Sequence, residues 1–179
     1  MPEFVDILDQ YGNHTGEVML KSQAHHLGLF HPTVHIWVCN DKQEILLQKR
    51  HPDKIAYPNL WDVSVAGHIS AGEDPVEAAV REVQEEIGLN LSGKNLQKIG
   101  MIRSDVKHHE QFHDREFHHV YRCLFNDSLQ TLTLQSEEVT DVRFLPLSAY
   151  LEMQKNAQDH SLVPLSQTYL ELLAKELNP

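Results

Sequence analysis

Glu82, Glu85 and Glu86 stand three and four residues apart in a stretch of helical periodicity, which gathers their carboxylates on one patch of a helix. Like charges that close repel, and they repel least with a hard cation among them. Oxygen ligands alone suit Mg2+ or Mn2+. An isolated Glu-x-x-Glu-Glu is also a common way to keep a helix face solvated, so the surroundings must decide. Thirteen histidines are a second reservoir of chemistry, the densest of them in HHEQFHDREFHH from His108 to His119. Fifteen Lys and Arg against 26 Asp and Glu leave a net charge of −11, with no basic run longer than two residues. General nucleic-acid binding, which rests on neutralising many phosphates, is therefore not expected.

The helix that must carry the glutamates is the clearest in the chain, over Asp74 to Leu89. Asp74 is a good N-cap, Pro75 suits the first helical position, Glu77 completes a capping box, and Gly88 lies where a left-handed C-terminal residue belongs. Val76, Ala79, Val80, Val83 and Ile87 form its apolar face and the other face is acidic. Before it, Phe4 to Leu8 and His14 to Leu20 read as a hairpin, Thr33 to Cys39 and Glu44 to Lys49 as a second, and Leu60 to Ala66 as a short strand entering Gly67. After it, Leu96 to Arg103, Phe117 to Phe125, Leu129 to Leu134 and Val142 to Leu145 read as strands, and Ser148 to Ala157 and Leu165 to Leu177 as helices. Leu165, Tyr169, Leu172 and Leu173 can form a docking stripe. Strands interrupted by single helices argue for an α+β sandwich and against a regular βαβ series.

With 179 residues the chain is long enough to bury a core without staples. Cys39 and Cys123 sit in apolar stretches and read as buried strand positions, so disulfides are not expected and a cytoplasmic location fits. No signal peptide is recognisable, and the most apolar stretch, Leu27 to Asn40, contains His31, Pro32 and His35, so no membrane span is expected.

From Gly67 the sequence reads GHISAGEDPVEAAVREVQEEIGL. This resembles the Nudix box, GX5EX7REUXEEXGU with U a bulky aliphatic residue, at every specified position. The resemblance implies a Nudix-type α/β/α sandwich with a mixed sheet. It implies one Nudix domain over residues 1–179, with an N-terminal hairpin extension (1–30), a core (31–146) and C-terminal helices (147–179). Glu82, Glu85 and Glu86 would then bind Mg2+ or Mn2+, together with the backbone carbonyl of Gly67, and one of the glutamates would activate water. Glu73 and Arg81 would brace the loop to the helix by an ion pair. Nudix hydrolases cleave a diphosphate bond in nucleoside diphosphate-linked or related compounds, and Arg50 and Lys54 are candidates to position the phosphates. Such a small molecule is the partner expected, with a homodimer left open.

A longer stretch, HIWVCNDKQEILLQKR, then YPNLWDVSVAGH, then the box, is similar to the isopentenyl-diphosphate isomerase branch of the superfamily. That resemblance implies a separate metal site with His31, His68, Asp114 and Glu116 at matching places and His25 or His26 near a further one; His31, His68 and Glu116 are the residues retained. Those isomerases use a cysteine immediately before the Gly-His pair, where this chain has Ala66, and their box keeps mainly its last glutamate. The first expectation is therefore a Nudix pyrophosphohydrolase. An isomerase with rearranged residues and a non-catalytic nucleotide- or protein-binding module remain as alternatives. Tyr57 is expected in the pocket, Trp37 and Trp61 in core strands, and Glu137 and Glu138 in solvent.

Overall fold

The computed structural model describes residues 2–177. Its first hairpin, β1 (Phe4–Leu8) and β2 (His14–Leu20), forms a separate two-stranded sheet. This sheet leans on the box loop: Ala71 donates its backbone N–H to the Phe4 carbonyl (2.9 Å) and Gly72 to the Asp6 carboxylate (2.8 Å). A short helix, α1 (Lys21–Leu27), follows and was not expected from the sequence. It is too short to show an apolar stripe, and its one local signal is Gly28, which closes it at φ 62°.

The main sheet contains β3 (His31–Cys39), β4 (Glu44–Arg50), β5 (Trp61–Asp62), β6 (Val65–His68), β7 (Gln97–His109), β8 (Phe112–Leu124) and β9 (Val139–Pro146). Its order is β5-β4-β3-β8-β7, with β6 paired to β3 and β9 to β4. β3 and β8 run parallel and the other pairs antiparallel, so the sheet is mixed. One face, with Val34, Ile36, Val38 and Val65, packs on α2 (Pro75–Ile87). The other, with Trp37, Ile45 and Leu47, packs on α3 (Leu147–Met153) and α4 (Gln167–Glu176), whose Tyr169 and Leu173 supply the expected stripe. The result is an α+β fold with helices on both faces of the sheet.

Four local readings are corrected. The strand expected over Leu60 to Ala66 is two, because the Ser64 hydroxyl donates to the Leu46 carbonyl (2.5 Å) and accepts from the Val38 N–H (2.9 Å), handing the chain from β4 to β3. Leu129 to Leu134 is no strand but a 3-10 turn over Leu129–Thr131 and an irregular run. Its backbone donors serve the end of α2, Thr133 N–H to the Ile87 carbonyl (3.0 Å) and Gln135 N–H to that of Glu86 (2.9 Å). β7 and β8 extend well beyond the expected ends, because polar side chains of the histidine-rich tract pair across the ladder, His113 with Asp105 at 2.6 Å among them. Helix α3 stops at Met153 and continues as a 3-10 segment over Gln154–His160.

In α2 the Asp74 carboxylate caps the N–H groups of Val76 (2.8 Å) and Glu77 (3.4 Å), and Gly88 ends the helix at φ 68°. Among the described residues no return bond from the Glu77 side chain completes the box. Trp37 is fully buried and Cys123 is buried, whereas Cys39 and Trp61 are only half-buried, Trp61 lying 4.1 Å under the Arg143 guanidinium. No helix is long and apolar enough to cross a membrane among the described residues.

Candidate functional site

Strand β6 separates two clusters of ligating groups, because successive side chains on a strand point to opposite faces. At Gly67 the α2 side is filled by Glu82: a Cβ built on this glycine would lie 2.0 Å from the Glu82 carboxyl carbon. Ala66 and His68, on either side, line a cavity of about 590 Å³.

On the α2 side, Arg81 holds Glu73 with two parallel bonds of 2.9 Å each, and donates to the His68 carbonyl at 3.0 Å. Glu73 in turn accepts from the Ser70 N–H (2.9 Å), so the box loop is tied to the helix that follows it. The Arg81 bond holds the Glu73 carboxyl below the usual carboxylate range. The remaining Arg81 nitrogen reaches Glu82 (2.7 Å) and Glu85 (3.2 Å).

The three box glutamates are not equivalent. Glu85 is half exposed, Glu82 mostly covered and Glu86 buried, so the acidic face is not uniformly solvated. Glu86 accepts from the Gln48 amide (3.0 Å) and, at 3.4 Å, from the Ala66 N–H, both neutral donors. Burial and the neighbouring Glu82 charge push its carboxyl up to about 8. Burial also raises Glu82, against the pull of Arg81. A buried carboxylate with neutral partners, beside a second carboxylate lying across a bare glycine, is a donor set that a hard divalent cation satisfies. Glu82, Glu86 and the Gly67 carbonyl could hold one, with Glu85 at the exposed edge.

On the cavity side, His25, His31, His68 and Glu116 each offer a ligand atom within 4.8 Å of the others. Helix α1 brings His25, β3 brings His31, β6 brings His68, and the parallel ladder sets Glu116 opposite His31. His31 Nε2 and His68 Nε2 lie 3.5 and 3.4 Å from the same Glu116 oxygen, yet neither forms a hydrogen bond. His25 Nδ1 and Asp114 Oδ1, 2.8 Å apart, are likewise misaligned for one. Of the five buried side-chain polar atoms left without a partner among the described residues, three belong to the histidines of this cluster and a fourth, Asp114 Oδ1, to the residue beside His25. His31 Nδ1 is bonded to the Leu29 carbonyl (2.9 Å) and must carry the ring hydrogen there, which leaves the Nε2 lone pair facing inward. Three imidazoles, with orphaned nitrogens among them, converging on one carboxylate in this way fit a transition-metal ion. Burial works against the Glu116 charge, but the close approach of the His31 and His68 imidazoles holds its carboxyl well below the usual range.

Arg50 and Lys54 line the same cavity. Arg50 is braced by Asp62 (2.8 Å) and by the Ala56 carbonyl (3.0 Å). Lys54 pairs with Glu138, which is thus an ion-pair partner and no free solvated charge. Tyr57 lines the cavity as expected. Lys21, at the start of the unexpected α1, and Gln48, which holds Glu86, were not anticipated. Gln48 left a trace, as the one polar residue within the run ILLQ; Lys21 left none.

The model of the NUDIX domain family matches residues 29–165. A protein of Arabidopsis thaliana named Nudix hydrolase 3 is 36% identical over 166 residues, which is 90% of this chain and 21% of that protein. An uncharacterized Nudix hydrolase of Clostridium acetobutylicum is 39% identical over 145 residues, 76% of this chain and 66% of its own length. The isopentenyl-diphosphate Delta-isomerase of Serratia proteamaculans is 30% identical over 130 residues, 73% and 70% of the two chains. The chain therefore spans less than two thirds of the first two relatives, and about a fifth of the plant protein. A crystal structure from Deinococcus radiodurans superposes with a TM-score of 0.73 at 19% identity, covering 97% of this chain and 98% of that one, a likeness of fold. With its family match running from just before β3 to just before α4, and its relatives including both hydrolases and isomerases, this chain belongs to the Nudix family.

Proposed function

We propose that this chain is a metal-dependent hydrolase that cleaves a diphosphate bond in a nucleoside diphosphate-linked or related small molecule. The observation that carries the reading is the buried Glu86 carboxylate, held by neutral donors next to Glu82 across Gly67. Mg2+ or Mn2+ bound there by Glu82, Glu85, Glu86 and the Gly67 carbonyl would neutralise phosphate oxygens and lower the pKa of water. Arg81 and Glu73 keep the loop that carries Gly67 against the helix that carries the glutamates. Arg50 and Lys54, each fixed by an acidic partner, bring positive charge to the cavity wall where phosphates would lie. His31, His68 and Glu116, with His25, form the second site in this reading. Of the described residues, 2–30 serve as an extension that steadies the box loop and 147–177 as helices closing the cavity, the whole acting as one unit.

The isomerase reading is supported by the His and Glu cluster and opposed by Ala66, whose methyl transfers no proton. One assay separates the readings: a panel of nucleoside diphosphate sugars, dinucleotides, nucleoside triphosphates, coenzyme A and prenyl diphosphates, with Mg2+ or Mn2+ present. Metal-dependent release of monophosphate products, lost in Glu85→Gln and Glu86→Gln, is expected. Double-bond migration without phosphate release moves the reading to the isomerase, and binding without turnover moves it to a non-catalytic module.

Gly67→Ala tests the cradle separately. Its Cβ must displace Glu82, so turnover is expected to fall roughly 10²-fold with the far-ultraviolet circular dichroism unchanged, because ångström-scale misplacement of a reacting group is that costly. Full activity in this variant would mean that Glu82 has no role at that position.

A further inference from the structure

Beyond the metal-ligating groups the cavity runs along one face of β3, where Thr33 and His35 line it at alternate positions between the buried His31 and Trp37. From His31 to His35 is about 13 Å at roughly 3.3 Å per residue, the span of a diphosphate with the start of its substituent. We infer that His35 determines specificity there: its Nε2–H, fixed as a donor by Tyr169, favours diphosphates whose substituent carries a hydrogen-bond acceptor, such as a sugar or base oxygen, over prenyl diphosphates. This deepens the diphosphate-hydrolase reading and rests on it.

The hydrogen positions follow from what each group can do. Trp37 Nε1 only donates, and it points at the Tyr169 hydroxyl (3.2 Å). That hydroxyl is buried, and the acceptor within reach of its own hydrogen is His35 Nδ1, at 2.9 Å. His35 Nδ1 is therefore the acceptor and Nε2 carries the ring hydrogen. No described residue bonds Nε2, and the ring lines the cavity. Its plane is fixed by stacking on His118, centroids 4.0 Å apart and 20° between planes, and His118 is held by the Thr33 hydroxyl at 2.7 Å. Burial pushes the His35 imidazole down to about 4, which keeps this single tautomer neutral at physiological pH.

The β3–β6 ladder sets His35 opposite Ala66, so this end of the cavity presents an imidazole edge beside a methyl group. A hydrocarbon chain placed here would strip water from the N–H and return no acceptor. An oxygen would satisfy it. A site built around a hydrogen bond discriminates strongly against a ligand that lacks the partner atom.

Two measurements on the full chain test this. In 15N-histidine NMR with Mg2+ present, with His35 assigned through His35→Phe, the Nε2–H tautomer is expected, and Tyr169→Phe should release it to a mixture. An Nδ1–H tautomer in the wild type overturns the inference. In the second, kcat/KM is measured for ADP-ribose, UDP-glucose and dimethylallyl diphosphate. The better nucleotide substrate should be preferred over the prenyl compound at least roughly tenfold. His35→Phe, which keeps the stacked ring, should lower that preference about tenfold, chiefly through KM for the nucleotide, and His35→Gln, whose amide can donate from a similar place, should restore much of it. A wild-type preference for the prenyl compound, or an unchanged preference in His35→Phe, overturns the inference and leaves the hydrolase reading standing. Absence of metal-dependent turnover across the whole panel removes the hydrolase reading, and this inference with it.

Discussion

Glu86→Gln is expected to raise the melting temperature of the metal-free protein at pH 8 while abolishing the proposed metal-dependent turnover. The folded protein lifts the Glu86 carboxyl from 4.5 to about 8, through burial first and the Glu82 charge second. A group whose pKa is raised by folding contributes its stability below the unfolded value and loses it as pH climbs through the folded one. The metal-free wild type should therefore weaken between about pH 4.5 and 8, whereas glutamine, neutral throughout, still offers an oxygen to Gln48 and is spared. Mg2+ should reverse the order, stabilising the wild type more at pH 8 than at pH 5 and leaving the variant unmoved. Turnover should fall by more than roughly 10²-fold, since even outer-shell partners of a metal site cost that much. Thermal melts across pH, with and without Mg2+, check all of this; a metal-free variant that melts below the wild type at pH 8, or an undiminished Mg2+ response, would show that Glu86 is not held as described.

Helix α2 was legible because every signal for it is local: Asp74, Pro75, the apolar spacing and Gly88 lie within one stretch of chain. The same holds for the contiguous glutamates, although their spacing could not tell that Glu86 is buried, since that depends on β4 supplying Gln48. The β7–β8 hairpin was underestimated because its outer half is stabilised by polar pairs across the ladder, a property of register and not of either strand alone. The break at Ser64 escaped for a related reason: a serine in a strand-like run is unremarkable until its hydroxyl is seen replacing ladder bonds on two neighbours. The histidine cluster had no periodic signal at all. Family resemblance pointed to His31, His68 and Glu116, and it is the parallel register of β3 with β8 that sets the first and last opposite each other.

Strand β6 gives the two clusters separable consequences. Gly67 turns toward α2, and His68 turns toward the cavity. Changes at Glu82 or Glu86 should therefore act on hydrolysis and on the response to added Mg2+, whereas changes at His68 should act on a tightly held ion that survives purification. Arg81 joins them through hydrogen bonds, since its guanidinium touches Glu73, Glu82 and the His68 carbonyl at once. Losing it should disturb both sites together.

His68→Ala is expected to purify without a transition metal that the wild type keeps through dialysis at about one ion per chain, a stoichiometry set by a single convergent ligand set. In the metal-free protein His25 Nδ1, His31 Nε2, His68 Nε2 and Asp114 Oδ1 are buried and unpartnered, and each such atom costs about 1–3 kcal/mol. An ion held by His25, His31, His68 and Glu116 relieves the inward-facing imidazole nitrogens together, so chelation should lower the wild-type melting temperature by several degrees and leave His68→Ala nearly unmoved. Imidazole and carboxylate ligands favour zinc, manganese or iron here over Mg2+. Acid should release the ion early: burial alone would lower the His31 pKa, but the Glu116 carboxylate outweighs it and leaves the ring easier to protonate than a free imidazole. Elemental analysis of both proteins, before and after dialysis against a chelator at pH 8 and at pH 6, decides the matter. Equal metal content in wild type and His68→Ala would sink the second site, while leaving the glutamate site to be judged on its own response to Mg2+.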